Sequence, residues 1–339
     1  MTIKNILAHN KQIKQFLYEL NNDVNNAKQT DELFDVVNKI IFYGKPIKFN
    51  NNINYICCLL FALIAIITYL AFKNQYFISI LATILSIGSI AYIFLRGLSL
   101  ASIEKKLIQN KIYFDNTIHP ISYEKRSLTK QLLNDFKDFS RGNNTKEIDR
   151  YYAGVYQGKE YKLEYNHYRY HYVVRVEKTV TDSKGNTKTV VEYHHYYRYG
   201  IIIAFPFIRS VCFDKPVRLF GHSIYKPASN RFNKIYALNG TISEFDIAKF
   251  LKPIIVTAFE DIYEKFKELH FEFNNNNMLC MSYEDKDTLF VSKQISKLEQ
   301  PEIFLSEFQR QKRARKLHEA LNFIETLMIY SDNNFTNRS

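Results

Sequence analysis

The sequence predicts an α+β cytoplasmic domain carried on a two-helix transmembrane hairpin, with an N-terminal helical segment in front of it. Three observations predict this. Two uncharged apolar stretches of 20 residues lie in succession at 53–72 and 76–95. Apolar spacing changes from three-and-four to strict alternation after residue 150, and the strands and helices that follow show no regular βαβ order. Across 339 residues, 46 Lys plus Arg stand against 34 Asp plus Glu, a formal charge of +12, yet Lys73 is the only charged residue in 53–95. A hydrophobic share of 46% with 24% charged residues excludes a largely disordered chain. Four Cys in this length exclude a disulfide-dense scaffold.

Residues 1–50 read as a cytoplasmic helical pair. Ile3, Ile6, Leu7, Ile13, Phe16, Leu17 and Leu20 recur at helical spacing, and the Asn-rich run 21–26 breaks the pattern. Thr30 can cap a second helix with Asp31 and Glu32 in its first turn, and Gly44 and Pro46 end it. The pair has to bury its stripe, most simply on its own chain.

A 20-residue helix is about 30 Å long, the thickness of a hydrocarbon core. Tyr55, Tyr69, Tyr76 and Tyr92 lie near the ends of the two stretches, where amphipathic rings favour the headgroup level. Lys39, Lys45 and Lys48 precede the hairpin and Arg96, Lys105, Lys106 and Lys111 follow it, against Lys73 at the tip. The positive-inside rule then places both termini in the cytoplasm. Lys105, Lys106 and Lys111 are candidates for anionic lipid headgroups, each attracted by about 1 kcal/mol. Ala82, Ser86 and Ser89, with Gly88 beside them, suit close packing of the second span on the first. Neither span carries an ionisable group at its middle, so an ion or proton path has no support.

Residues 96–150 read as a helical juxtamembrane linker, with helices at 98–112 and 122–140 and a polar boundary at 143–150. Residues 151–330 form the α+β domain. Alternation over 161–181 puts Tyr168, Tyr170, Tyr172, Val174 and Val176 on one face, and 187–199 runs back, giving a long hairpin over 160–200 with its turn at 182–186. A short strand at 201–208, a helix at 243–270 kinked or divided by Pro253, strands at 271–273 and 278–283, and a last helix at about 302–330 follow. Residues 331–339 are a polar tail.

The stretches YYRYGIIIAFPF at 196–207, RFNKIYAL at 231–238, FLKPIIVTAFEDIYEKF at 250–266 and FEFNNNNMLCMSYEDKDTLF at 271–290 resemble the bacterial domain of unknown function 3137 family. So does the closing helix with Leu321, Ile324 and Leu327. The resemblance implies a bacterial inner-membrane protein with paired spans ahead of a cytoplasmic domain, and it implies no active site.

Candidate sites concentrate on the hairpin. Tyr168, Arg169, Tyr170, Tyr172, Arg175, Tyr196, Tyr197 and Arg198 are expected to face a partner protein. Basic residues interleaved with nine tyrosines leave single-stranded nucleic acid as an alternative partner, diluted by five acids. His171, His194 and His195 are the candidate metal ligands of an enzymatic alternative, since His171 pairs near Tyr197 and His195 near Val173 or Val174. No GxSxG, HExxH or Gly-rich phosphate loop occurs, and Asp285 and Asp287 read as loop solvation. The expected function is therefore a non-enzymatic, membrane-anchored binding or regulatory module without cofactor, with homo-oligomerisation open.

Overall fold

A computed structural model of the protein describes residues 2–71, 76–181, 187–216, 223–284, 288–289 and 296–332. The expected tip at Lys73, the hairpin turn 182–186, Asp285 and Asp287, and the tail beyond 332 lie outside these residues. The helices are α1 (Ile3–Asn26), α2 (Thr30–Tyr43), α3 (Asn52–Ala71), α4 (Tyr76–Asp115), α5 (Lys125–Asp135), α6 (Asn230–Ile235), α7 (Glu244–Phe250), α8 (Pro253–Tyr263), α9 (Pro301–Phe308) and α10 (Arg315–Ser331). The strands are β1 (Ile118–Pro120), β2 (Lys146–Gln157), β3 (Lys162–Thr181), β4 (Thr187–Ala204), β5 (Val211–Asp214), β6 (Ala237–Gly240), β7 (His270–Phe273) and β8 (Met278–Tyr283). The chain divides into two compact units, Met1–Asp115 with Ser292–Lys312, and Asn116–Val291 with Arg313–Ser339.

In the first unit, Ile13, Leu17, Leu20 and Val24 of α1 meet Leu33, Val36, Val37 and Ile40 of α2, Ile103 and Leu107 of α4, and Phe304 and Phe308 of α9. The helical pair buries its stripe on its own chain, as expected. The Asn run 21–26, expected to break α1, stays helical, and Asn21 and Asn25 accept from Lys106 Nζ at 2.8 and 3.1 Å. A long-range partner there replaces the solvent that favours a turn. Gly44, at φ +63°, ends α2 in a left-handed conformation that a side chain would strain.

α3 and the first half of α4 are long and apolar enough to cross a membrane, and most of their large apolar side chains are exposed away from the seam between them. They lie against each other along small residues: Ala82 is buried, Ser86 Oγ donates to the Cys58 carbonyl at 3.2 Å and Ser79 Oγ to that of Ala65 at 3.0 Å. Ser89 and Gly88, expected at this seam, are not needed for it; the Ser89 hydroxyl bonds the Leu85 carbonyl of its own helix. α4 continues without a break to Asp115, so residues 96–115 belong to the first unit rather than to a linker.

The second unit is built on one antiparallel sheet of eight strands, ordered β1-β2-β3-β4-β8-β7-β5-β6. α5 and a 3-10 turn at Lys137–Ser140 cover one face, with Leu132, Phe136 and Phe139 against Tyr168 and Tyr170. α6, α7, α8 and α10 cover the other, where Phe213 stacks on Phe259 at 4.6 Å and Phe271 meets both Phe259 and Phe323. Four expected elements differ. The 122–140 helix stops at Asp135 because Phe136 turns extended to reach the core. The 201–208 strand is the end of β4. The 243–270 helix is divided at Pro253, one of the two expected outcomes, with the proline tolerated at the first position of α8, but α8 stops at Tyr263 rather than at 270. The 302–330 helix is interrupted between α9 and α10, where Lys312 is buried and its amide donates to Asp115 at 2.7 Å.

Candidate functional site

β3 and β4 outrun the sheet that holds them. Pairing of β2 with β3 ends at Lys146 and Tyr172, and pairing of β8 with β4 ends at Tyr283 and Tyr199. Asn143 then covers the β3 edge a little further, its side chain bonding both the Arg175 amide (2.7 Å) and the Arg175 carbonyl (3.0 Å). Beyond it, among the described residues, 176–181 and 187–192 pair only with each other, from Val176↔Glu192 to Thr181↔Thr187. At about 3.4 Å per residue this two-stranded ribbon projects roughly 20 Å. Its apolar side chains face solvent: Val180, Val190, Val191 and Tyr193 are exposed, Tyr193 at 54%, and Tyr196 and Tyr197 at the root are exposed as well.

The root is a different environment. Tyr168, Tyr170 and Tyr172, expected on a contact surface, are buried under the 3-10 turn, and the Tyr170 hydroxyl donates to the Phe139 carbonyl at 2.5 Å. Arg198, also expected at the surface, is fully buried. The sequence shows only that these residues alternate; it does not show that α5 and the 3-10 turn close over that face. Gly200 permits the closure, because a methyl group there would overlap the Tyr168 hydroxyl and the Met281 carbonyl.

Arg198 anchors a buried charge network that sequence reasoning missed. Its Nε donates to Asp138 Oδ2 at 2.8 Å, and its Nη atoms donate to Glu284 Oε1 (3.1 Å), the Glu268 carbonyl (3.0 Å) and Ser282 Oγ (2.8 Å). Ser282 Oγ donates to the same Asp138 oxygen at 2.6 Å, and Arg141 Nε to the other at 2.6 Å. Burial pushes the Asp138 carboxyl up, but Arg198, His270, Arg141 and Ser282 outweigh it and hold it far below the usual range. His270 lies 3.4 Å from Asp214 and 3.5 Å from Glu272. Burial alone would lower its pKa; Asp138, Asp214 and Glu272 raise it to about 9, so the imidazole is charged at neutral pH. The signal available in the sequence was the alternation of His270 and Glu272 with Phe271 and Phe273, which sends both polar side chains to one face.

Arg169 and Arg175 remain on the opposite face of the hairpin. Arg169 Nε donates to both Asp149 oxygens at 2.8 Å, its guanidinium lies 5.2 Å from the Tyr197 ring, and Tyr197 stacks on His171 at 4.8 Å. Arg175 pairs with Glu177 at 2.6 Å and Lys178 with Glu192 at 2.6 Å. The expected register is found, with His171 opposite Tyr197 and Val173 opposite His195. His171 and His195 stack and share a 3.0 Å hydrogen bond, one ring donating and the other accepting. His194 falls on the other face beside Glu192, because adjacent strand residues point in opposite directions. The three-histidine set is therefore not assembled, and no group of three metal-ligating residues occurs among the described residues.

The two thiols of the second unit are held in the protonated form. Burial, with Glu272 nearby, raises Cys212 to about 11, and burial raises Cys280 well above its ordinary value. Of the candidate lipid contacts, Lys105 is exposed, Lys106 is engaged by Asn21 and Asn25, and Lys111 is buried between both Asp115 oxygens at 2.6 and 2.7 Å. Lys111 is thus a core residue rather than a headgroup contact; the count of lysines flanking the apolar stretches does not show that α9 packs beside it. No protein-family model, curated protein or solved structure matches the chain.

Proposed function

We propose that the protein is a membrane-anchored, non-enzymatic binding module that engages a partner protein through the projecting β3–β4 ribbon. The carrying observation is that ribbon: two strands with unpaired outer edges and exposed Val180, Val190, Val191 and Tyr193. A free-standing hairpin is marginal in water, and open edges are templates for an added strand. The contact surface in this reading is the distal ribbon with Arg175, Tyr196 and Tyr197, and the buried root holds it at a fixed angle. A protein is favoured over nucleic acid because Arg169, Arg175, Lys178 and Arg198 each already have a carboxylate partner, and a phosphate would have to displace it. α3 and α4 serve as a two-pass anchor in a bacterial cytoplasmic membrane with both termini inside, as the lysine asymmetry and the family resemblance imply. Exposure of most large apolar side chains on both helices supports the anchor, since core helices of that length would be covered.

The test is recovery of partners by the full-length protein from gently solubilised membranes, compared with a Val191→Glu/Tyr193→Ser variant. Both positions are solvent-facing, so the fold is expected to survive. Loss of a reproducible protein partner supports the ribbon; unchanged recovery refutes it. Salt-sensitive retention of single-stranded nucleic acid by the same protein would favour the alternative partner.

A further inference from the structure

In the first unit, a groove of about 660 Å³ opens between α1 and the part of α4 where the apolar stretch gives way to charge. Its floor is Leu17 and Ile103, which are buried, and its walls include Leu7 and Leu95, which are exposed. Three cations line it, Lys11, Lys14 and Arg96, and no acid does. Ile3, Leu7, Lys11, Lys14 and Tyr18 follow one another at three-and-four spacing, so they form a single exposed stripe on α1. That stripe mixes bulky apolar side chains with lysines, the composition of a helix lying in a headgroup layer.

The cations are available. Arg96 donates to Asn51 Oδ1 at 3.2 Å and to the Tyr92 hydroxyl at 2.9 Å, and its guanidinium lies over the Phe49 and Tyr92 rings. Among the described residues no carboxylate pairs with it, and Lys11 and Lys14 have no ion pair. Arg96 is the first charged residue after the second apolar stretch and stands level with Asn51, next to the start of the first. By contrast Lys105 lies nine residues further along α4, about 14 Å beyond that level, deeper than a headgroup layer of several ångströms reaches.

We propose that this groove binds one anionic phospholipid of the inner leaflet, its phosphate held by Lys11, Lys14 and Arg96 and an acyl chain lying along Leu7, Leu17, Leu95 and Ile103. The proposal rests on the anchor reading of α3 and α4. A guanidinium already braced by two rings is preorganised for phosphate, and the apolar floor continues the hydrocarbon surface of α4.

The test uses the full-length protein in nanodiscs holding phosphatidylglycerol and phosphatidylcholine in equal amounts, read by native mass spectrometry of lipids retained on release. One phosphatidylglycerol per chain is expected, with retention falling about fivefold for each cation removed in Lys11→Gln, Lys14→Gln and Arg96→Gln. Lys11 and Lys14 are exposed, so their double variant keeps the test decisive where the Arg96 change disturbs folding. The expected control is Lys105→Gln with retention unchanged. Equal retention of both lipids, undiminished retention by the variants, or a lipid-free dimer that seals the groove would overturn the proposal. Alkaline carbonate extraction separates the two readings: release from membranes sinks the anchor and the groove together, whereas a carbonate-resistant protein without lipid preference sinks the groove alone.

Discussion

Replacing Arg198 with Met removes a fully buried cation from the sheet face beneath the 3-10 turn and leaves Asp138 without its principal partner. Asp138 is 2% exposed at its side chain, so water cannot take over. Arg141 Nε and the Ser282 hydroxyl still reach it, and Glu284, at 31% exposure, can turn to solvent. Breaking a buried pair from one side costs about 3–5 kcal/mol, most of it the stranded charge. Residual bonds from Arg141 and Ser282 put the expectation at the lower end, about 3 kcal/mol. The double variant Arg198→Met/Asp138→Leu removes the stranded charge and is expected to recover about 2 kcal/mol of that loss. Cys280 is a suitable reporter, because its thiol is buried in β8 next to the Tyr168 hydroxyl, 3.3 Å away. Guanidinium unfolding of the full-length protein in micelles at pH 7, with pulsed thiol labelling resolved at Cys280, reads the free energy. A single-variant loss below about 1 kcal/mol, or a double variant less stable than the single, would refute the assignment of this network as the clamp on the ribbon root.

Further expectations concern the same elements. His270 has a pKa of about 9 against an ordinary 6.5, so its contribution is complete below pH 6.5 and is lost as pH rises through 9; integrated, it is about 3 kcal/mol. The guanidinium midpoint of the wild type, followed by tyrosine circular dichroism, falls over that interval, and His270→Gln flattens the fall; an equal slope in both refutes it. Gly200→Ala forces Tyr168 away from Cys280 and lowers stability by about 1–3 kcal/mol, exposing the thiol to labelling in the native state. Lys111→Met takes the ammonium from Asp115, which retains the Lys312 amide, a 3.5 Å contact from Thr30 Oγ1 and the electrostatic influence of the Lys312 ammonium. Hydrogen exchange in α2 and α9 is expected to accelerate, and unaltered exchange there would count against Lys111 as a core residue.

The legible parts of this chain were those encoded by local repetition. Two apolar twenties, the alternation from Tyr161 to Thr181 and the return strand gave the apolar helices and the hairpin register down to His171 opposite Tyr197. What stayed hidden depended on coverage. Alternation sorts Tyr168, Tyr170, Tyr172 and Arg198 onto one face but is silent on which face a distant element covers; Phe136 and Phe139 pack with the three tyrosines, and Asp138 of the same 3-10 turn meets Arg198. The same gap misplaced Lys111, which reads as a headgroup contact until Phe34 and Phe308 close around it. The three histidines failed as a set for a simpler reason: His194 and His195 are neighbours in a strand, and pleating separates them.

α4 has a mechanical consequence. Its 40 residues contain no proline and make one helix about 60 Å long, whose first half is apolar and whose second half carries α1 and α2. A hinge between those halves would let the apolar half move without consequence for the rest. An unbroken rod does the opposite: a tilt of 10° in the apolar half displaces the Asp115 end by roughly 5 Å over a 30 Å arm. In the proposed anchored state, changes in bilayer thickness or lateral tension, which reset helix tilt, would be transmitted along α4 as a lever, with α1 and α2 carried on its far arm.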